Sequence, residues 1–203
     1  RLKTTNASFI YSYLAPISRE FSLKFALQAT YLQKSLDATK LTFGDMIDAR
    51  RGFVYNTQEV QPSTNKVNAD FSAGILGYSK SYFFGLSVNH LSQPDEGLLG
   101  PSRLPTKFTV HGGTIISLEK GNESYISPNV LFQAQQNFKQ LNLGLYYVNG
   151  VFVAGLWYRT GDAVIALVGL QNGNFKFGYS YDVTITKLAG NTGGSHEISL
   201  QMQ

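Results

Sequence analysis

Residues 175–186, Phe-Lys-Phe-Gly-Tyr-Ser-Tyr-Asp-Val-Thr-Ile-Thr, alternate without a break. Phe175, Phe177, Tyr179, Tyr181, Val183 and Ile185 fall on one side of an extended strand, and Lys176, Gly178, Ser180, Asp182, Thr184 and Thr186 on the other. Successive side chains of a strand point to opposite faces, so a period of two predicts a sheet with one apolar and one polar face. The run of twelve residues is longer than the common strand of about 5–6 and reaches the roughly 9–11 that cross a bilayer at a tilt. Residues 21–31 repeat the pattern, with Phe21, Leu23, Phe25, Leu27, Ala29 and Tyr31 opposite Ser22, Lys24, Ala26, Gln28 and Thr30. So do residues 82–90, and shorter copies run through Phe9, Tyr11 and Tyr13, through Leu141, Leu143, Leu145 and Tyr147, and through Ile198, Leu200 and Met202.

A soluble β-sandwich also alternates. Strand length and the many aromatics on the apolar faces favour an all-β, transmembrane antiparallel β-barrel. The pattern gives eleven strands, near 4–14, 21–34, 67–77, 82–90, 107–118, 125–135, 139–148, 151–159, 163–171, 174–186 and 196–203. If the last strand descends toward the periplasm, connections 35–66, 91–106 and 187–195 lie outside, with the short 136–138 and 160–162. Connections 15–20, 78–81, 119–124, 149–150 and 172–173 then lie inside. Long and short segregate by parity, as outer-membrane barrels require. The expectation is one barrel domain over 1–203. An even strand number closes such a barrel, so the odd count predicts missing N-terminal strands and a total of twelve or fourteen. The absence of a signal peptide before Arg1 fits the same expectation. Residues 163–170 are apolar on both faces, and a packed or a wet lumen are both compatible with that.

Composition sharpens the picture. The chain has 14 Phe and 12 Tyr but one Trp, and only 15% charged residues among its 203. Tyr suits the membrane interface, where an apolar ring and a polar tip are both satisfied. No run approaches the roughly 18 apolar residues of a membrane helix. The net charge of +4 is spread out, with Arg50 and Arg51 the adjacent pair, which argues against nucleic acid as a partner. With no cysteine there is no disulfide framework and no thiolate chemistry.

The final third carries Gly155-Leu156-Trp157-Tyr158-Arg159, Asp162-Ala163-Val164-Ile165-Ala166-Leu167-Val168-Gly169, Gly178-Tyr179-Ser180-Tyr181-Asp182 and Gly194-Ser195-His196-Glu197-Ile198-Ser199-Leu200, in order and closely spaced. Upstream stand Asp70-Phe71-Ser72-Ala73-Gly74 and Phe84-Gly85-Leu86-Ser87-Val88-Asn89-His90-Leu91. Together these resemble the PorP/SprF family of type IX secretion system membrane proteins, as its C-terminal, larger part. The resemblance implies a bacterial outer-membrane barrel of the secretion and gliding machinery, with its loops at the cell surface. The implied partners are outer-membrane lipid, a secreted adhesin or its C-terminal domain, and other type IX secretion components. It implies no catalytic residue and no cofactor. A passive diffusion channel is the alternative that the polar face alone supports.

Loops on a rigid scaffold are where binding residues concentrate. In loop 35–66 the candidates for partner contact are Phe43, Asp45, Asp48, Arg50, Arg51, Phe53 and Tyr55, with Met46 beside them; a folded cap that closes the barrel mouth reads equally well. In loop 91–106, Leu98, Leu99 and Leu104 either mark a contact site or pack on a neighbouring loop. Lys24, Gln28, Lys176 and Asp182 are expected to face the lumen, tuning ion passage or pairing with one another. His90, His111 and His196 lack ligand spacing and read as strand-end residues. Ser195-His196-Glu197 contains triad residue types, but neighbouring strand residues point apart and cannot form a relay. Gly190-Asn191-Thr192-Gly193-Gly194 lacks the Lys-Ser/Thr end of a phosphate loop.

Overall fold

The computed structural model describes residues 2–37, 41–58, 65–98, 100–118, 124–186 and 193–202. Its strands are β1 (Leu2–Pro16), β2 (Ser22–Leu36), β3 (Ile47–Asp48), β4 (Gly52–Phe53), β5 (Asn65–Tyr78), β6 (Tyr82–Asn89), β7 (Lys107–Thr114), β8 (Ile116–Ser117), β9 (Ser124–Gln135), β10 (Phe138–Asn149), β11 (Phe152–Arg159), β12 (Ala163–Asn172), β13 (Phe175–Thr184) and β14 (Ser195–Met202). Twelve of them form one sheet in the order β1-β2-β5-β6-β7-β9-β10-β11-β12-β13-β14, with β8 beside β9; β3 and β4 form a hairpin of their own. Leaving aside the β3–β4 hairpin and the two-residue β8, each strand pairs with the next in sequence, the usual outcome for consecutive strands.

The strands expected from periodicity are all present. The run 107–118 is interrupted at Ile115, where the Ser81 carbonyl receives both the Ile115 N–H (2.6 Å) and the Thr114 hydroxyl (2.9 Å). Pairing then resumes in the same register, Ile116 opposite Ile126 after Gly113 opposite Asn129. Within loop 35–66 a 3-10 turn, Gly44–Met46, precedes the β3–β4 hairpin. Strands of two residues are too short to leave a readable period.

The chain divides into two compact units, Arg1–Tyr11 with Leu27–Ala73 and Asn89–Thr106, and Ser12–Ala26 with Gly74–Val88 and Lys107–Gln203. In the second unit the register stacks apolar residues in rows across the strands. One row is Val130, Leu143, Tyr158, Val164 and Val183; another is Ile126, Tyr147, Ala154, Val168, Tyr179 and Ile198. These rows are exposed: Val168 is 59% and Ile198 72% accessible. The opposite face mixes Arg159, Asp182, Glu197, Gln171, Lys176 and Gln201 with Trp157, Ile165 and Leu167. The doubly apolar stretch 163–170 thus sets Val164, Ala166 and Val168 on the apolar face and packs Ile165 and Leu167 beside Trp157 and Tyr146.

Trp157 lies directly across from Gly144, and Tyr146 directly across from Gly155. The two rings meet edge to face at 6.0 Å and 73°, and the Trp157 indole N–H donates to the Tyr146 hydroxyl at 2.8 Å. A Cβ on Gly144 would fall inside contact distance of the indole carbons, so the glycine leaves the space that the ring fills.

In the first unit β5 repeats the division of faces. Lys66, Asn68 and Asp70 are half-buried or buried, whereas Val67, Ala69 and Phe71 are exposed. Among the described strand residues the buried aliphatic side chains are Val148 and Ala163, while Phe9, Phe25, Leu27, Phe71, Phe84, Leu156 and Ile198 stand among the exposed. A sandwich would bury such a face against a second sheet. No second sheet covers it among the described residues, where the main sheet is joined only by the β3–β4 hairpin.

Candidate functional site

The first unit holds two folded connections. The first, residues 90–106, turns back on itself: Glu96 N–H donates to Ser102 O (2.9 Å), Leu104 N–H to Pro94 O (3.0 Å), and the backbones of Asp95 and Arg103 pair antiparallel. Asp95 is its knot. Its Oδ1 accepts from the Gly97 (3.1 Å) and Ser102 (2.7 Å) N–H groups, and its Oδ2 accepts from Lys66 Nζ (2.7 Å). Lys66, then those backbone donors, hold the carboxyl far below the usual range, because all of them favour the charged form.

This segment is strapped to β2 and β5. Lys66 Nζ also reaches Gly97 O (2.8 Å), Asn68 Nδ2 donates to Asp95 O (2.8 Å), and Lys34 Nζ meets Glu96 Oε2 (2.6 Å). At its root His90 Nδ1 lies 2.7 Å from Asp70 Oδ2, and the Ser92 hydroxyl 2.9 Å from Asp70 Oδ1. His90 has φ 59°, a left-handed turn that lets its ring fold back on β5. Lys66, Asn68 and Asp70 all occupy the sheltered face of β5, so the strap lies over that face. The Ser, His and Asp here do not form a relay: the serine bonds the aspartate, not the imidazole. Leu98 and Leu104 are half-buried; Leu99 lies outside the described residues.

The second connection carries the β3–β4 hairpin. Asp48 fixes its turn, accepting from the N–H groups of Arg50 (2.9 Å) and Arg51 (2.8 Å) and from the Tyr55 hydroxyl (2.9 Å). The Arg50 N–H, then the Tyr55 hydroxyl and the Arg51 N–H, hold its carboxyl below the ordinary value. Gly52, at φ 75°, supplies the left-handed residue that closes a three-residue loop. Asp45 accepts from the Thr57 hydroxyl (2.9 Å) and the Gln58 N–H (2.6 Å), and Phe43 N–H points at Met46 Sδ (3.3 Å). The Met46 carbonyl receives both the Val54 (3.0 Å) and Tyr55 (3.2 Å) N–H groups. Of the expected contact residues, Asp45, Asp48 and Tyr55 therefore serve the hairpin itself, and Phe43 is half-buried. Phe53 is 58% exposed and sits directly opposite Ile47. Arg50 and Arg51 are exposed, and their guanidinium groups have no partner among the described residues.

Of the residues expected to line a lumen, Lys176 and Asp182 fall on the face of the second unit opposite the apolar rows, while Lys24 and Gln28 alternate with Phe25 and Leu27 along β2. Gln28 Nε2 donates to Thr30 Oγ1 (2.9 Å). Asp182 pairs with Arg159 (3.2 Å) rather than with a lysine, and Asp162 shares that guanidinium at the same distance. Lys24 and Lys176 are exposed. Lys176 borders a cavity of about 470 Å³ with Tyr125, Tyr146, Gln171, Ser199 and Gln201. His196 faces the apolar side, stacked on Tyr181 at 4.6 Å, with Nδ1 2.6 Å from the Tyr179 hydroxyl. His90 departs from the expectation of an ordinary strand-end residue through its pairing with Asp70; no spacing signal announces a partner twenty residues away. Among the described residues no three His, Asp or Glu side chains gather as metal ligands.

The family model described as type IX secretion system membrane protein PorP/SprF matches residues 1–202. No curated protein and no solved structure matches the chain.

Proposed function

Because the chain belongs to the PorP/SprF family of type IX secretion system membrane proteins, we propose that it is an outer-membrane barrel that docks a secreted surface protein through its loops. The carrying observation is the exposed apolar face. Large aliphatic and aromatic side chains on nearly every strand remain accessible, while among the described strand residues only Val148 and Ala163 are buried aliphatics, an arrangement that water penalises and lipid satisfies. Unpaired strand edges are costly in lipid, so in this reading the sheet closes on itself. In this reading the end of the meander that carries the strap and the β3–β4 hairpin faces the cell surface. Secretion through a type IX system supplies the partner, a secreted adhesin or its C-terminal domain, and no chemistry is assigned to the barrel.

The diffusion channel needs an open path along the polar face. The strap over β2 and β5, bolted by Lys34, Lys66, Asn68 and Asp70, argues for the docking reading instead. The test is a mild-detergent pull-down of tagged full-length protein from its native outer membrane, read by mass spectrometry. A stoichiometric secreted protein that is lost on shortening segment 41–58 is expected. A barrel recovered alone, under conditions that preserve other envelope complexes, refutes docking and favours the channel.

A further inference from the structure

We infer that the β3–β4 tip is the contact point, and that it takes a carboxylate-bearing polypeptide segment flanked by an apolar side chain; this rests on the docking reading. The tip separates its functional groups into two sets. Its acceptors are spent: Asp48 takes three hydrogen bonds from the turn, and Asp45 holds Thr57 and Gln58. Its donors are not: Arg50 and Arg51 project from a turn whose backbone Asp48 has fixed, with no acceptor among the described residues. A guanidinium offers a planar fork of N–H donors that matches a carboxylate edge to edge. Pinning the backbone beneath it lowers the entropy lost on binding.

The apolar half of the site is the cross-strand pair Ile47 and Phe53, 51% and 58% exposed, with Val54 at 51% beside it. An aromatic and an arginine side by side are the residue types that dominate binding energy at protein interfaces. A neutral or basic segment leaves both guanidinium groups unanswered. The tip therefore selects partners by the acceptors they bring.

The test places a benzophenone amino acid at Phe53 of full-length protein in its native outer membrane, with charge-reversed R50E/R51E and charge-conserving R50K/R51K versions. Heat-dependent gel mobility checks that each is folded. Expected are cross-linked peptides of a secreted protein with Asp or Glu close to the linked residue, and a yield about tenfold or more lower after charge reversal. R50K/R51K should fall between, and rising ionic strength should lower the yield. Co-purification of the secreted protein with an unchanged cross-link yield in R50E/R51E overturns this inference and leaves docking standing elsewhere on the surface. Cross-links confined to lipopolysaccharide also overturn it, making the tip a membrane-surface contact. Loss of every protein partner from the unmodified barrel overturns both.

Discussion

The Trp157–Gly144 contact predicts a substitution whose sign depends on its neighbour. The chain has one tryptophan, half-buried on the polar face and lying across Gly144 in the facing strand. Burying about half of a roughly 200 Å² indole at about 25 cal/mol per Å² gives about 2.5 kcal/mol. The edge-to-face contact with Tyr146 adds about 0.5–1 kcal/mol, and the indole hydrogen bond a similar amount, so W157A should cost about 3.5–4.5 kcal/mol. G144A places a methyl group against the ring and should cost about 1–3 kcal/mol by overpacking. With the indole gone that clash vanishes, and replacing a strand glycine should stabilise by about 0.5 kcal/mol. The coupling energy of the cycle is then about 1.5–3.5 kcal/mol. Urea titration of protein refolded into lipid vesicles, followed by circular dichroism and by heat-dependent mobility, measures all four corners. Equal costs of G144A with and without Trp157 would refute the reasoning, because the glycine would then not be serving the ring.

Two further outcomes concern the loops. K34A/K66A removes two bolts of the strap and should raise single-channel conductance in planar bilayers several-fold over the parent; conductance that stays at the parental level shows that the strap is not what closes the path. For the hairpin, the Asp48 carboxyl is depressed in the folded state, so its contribution is complete above the ordinary aspartate value and is lost as pH falls through the folded value. The protection of the Arg50 and Arg51 amides, taken as the ratio of free-chain to observed exchange rate at each pH, should fall only below that ordinary value, and D48N should flatten the dependence. A loss of protection in acid that persists in D48N would assign the effect to another group.

The strands were legible in sequence because a sheet with one apolar and one polar face writes that division onto alternate residues. In a soluble core the apolar face answers to other elements. Here Phe175, Phe177 and Tyr179 answer only to their own strand and its direct neighbours, Leu200 opposite Phe177 and Ile198 opposite Tyr179, so the period survives over full strand lengths. The break at Ile115 left no trace because it comes from a side chain competing for one carbonyl, and Thr114 looks like any strand threonine. The strap was invisible for a different reason. Lys34 and Glu96 are 62 residues apart, and only the register of β2 beside β5 brings their neighbourhoods together. The expectation that Asp182 and the lysines pair was a guess about which opposite charges share a row. The register instead sets Asp182 opposite Ile165 and Ser195, within reach of Arg159.

The two folded connections use charge in opposite ways. Asp95, Glu96, Lys34 and Lys66 are consumed in binding one segment of the chain to its own sheet, and such groups are poor candidates for a partner because each new contact must first break an existing one. On the hairpin, carboxylates fix the backbone while both guanidinium groups stay available. Among the described residues Asp45, Asp48 and Tyr55 hold the hairpin in shape, and in the inference drawn above Arg50, Arg51, Ile47 and Phe53 make the contact. Substituting the shaping residues should weaken binding only as far as it loosens the turn, and an R50E/R51E exchange should weaken binding with the turn intact. Amide exchange at the tip separates the two cases. A binding defect in D48N with amide protection unchanged would place Asp48 among the contact residues.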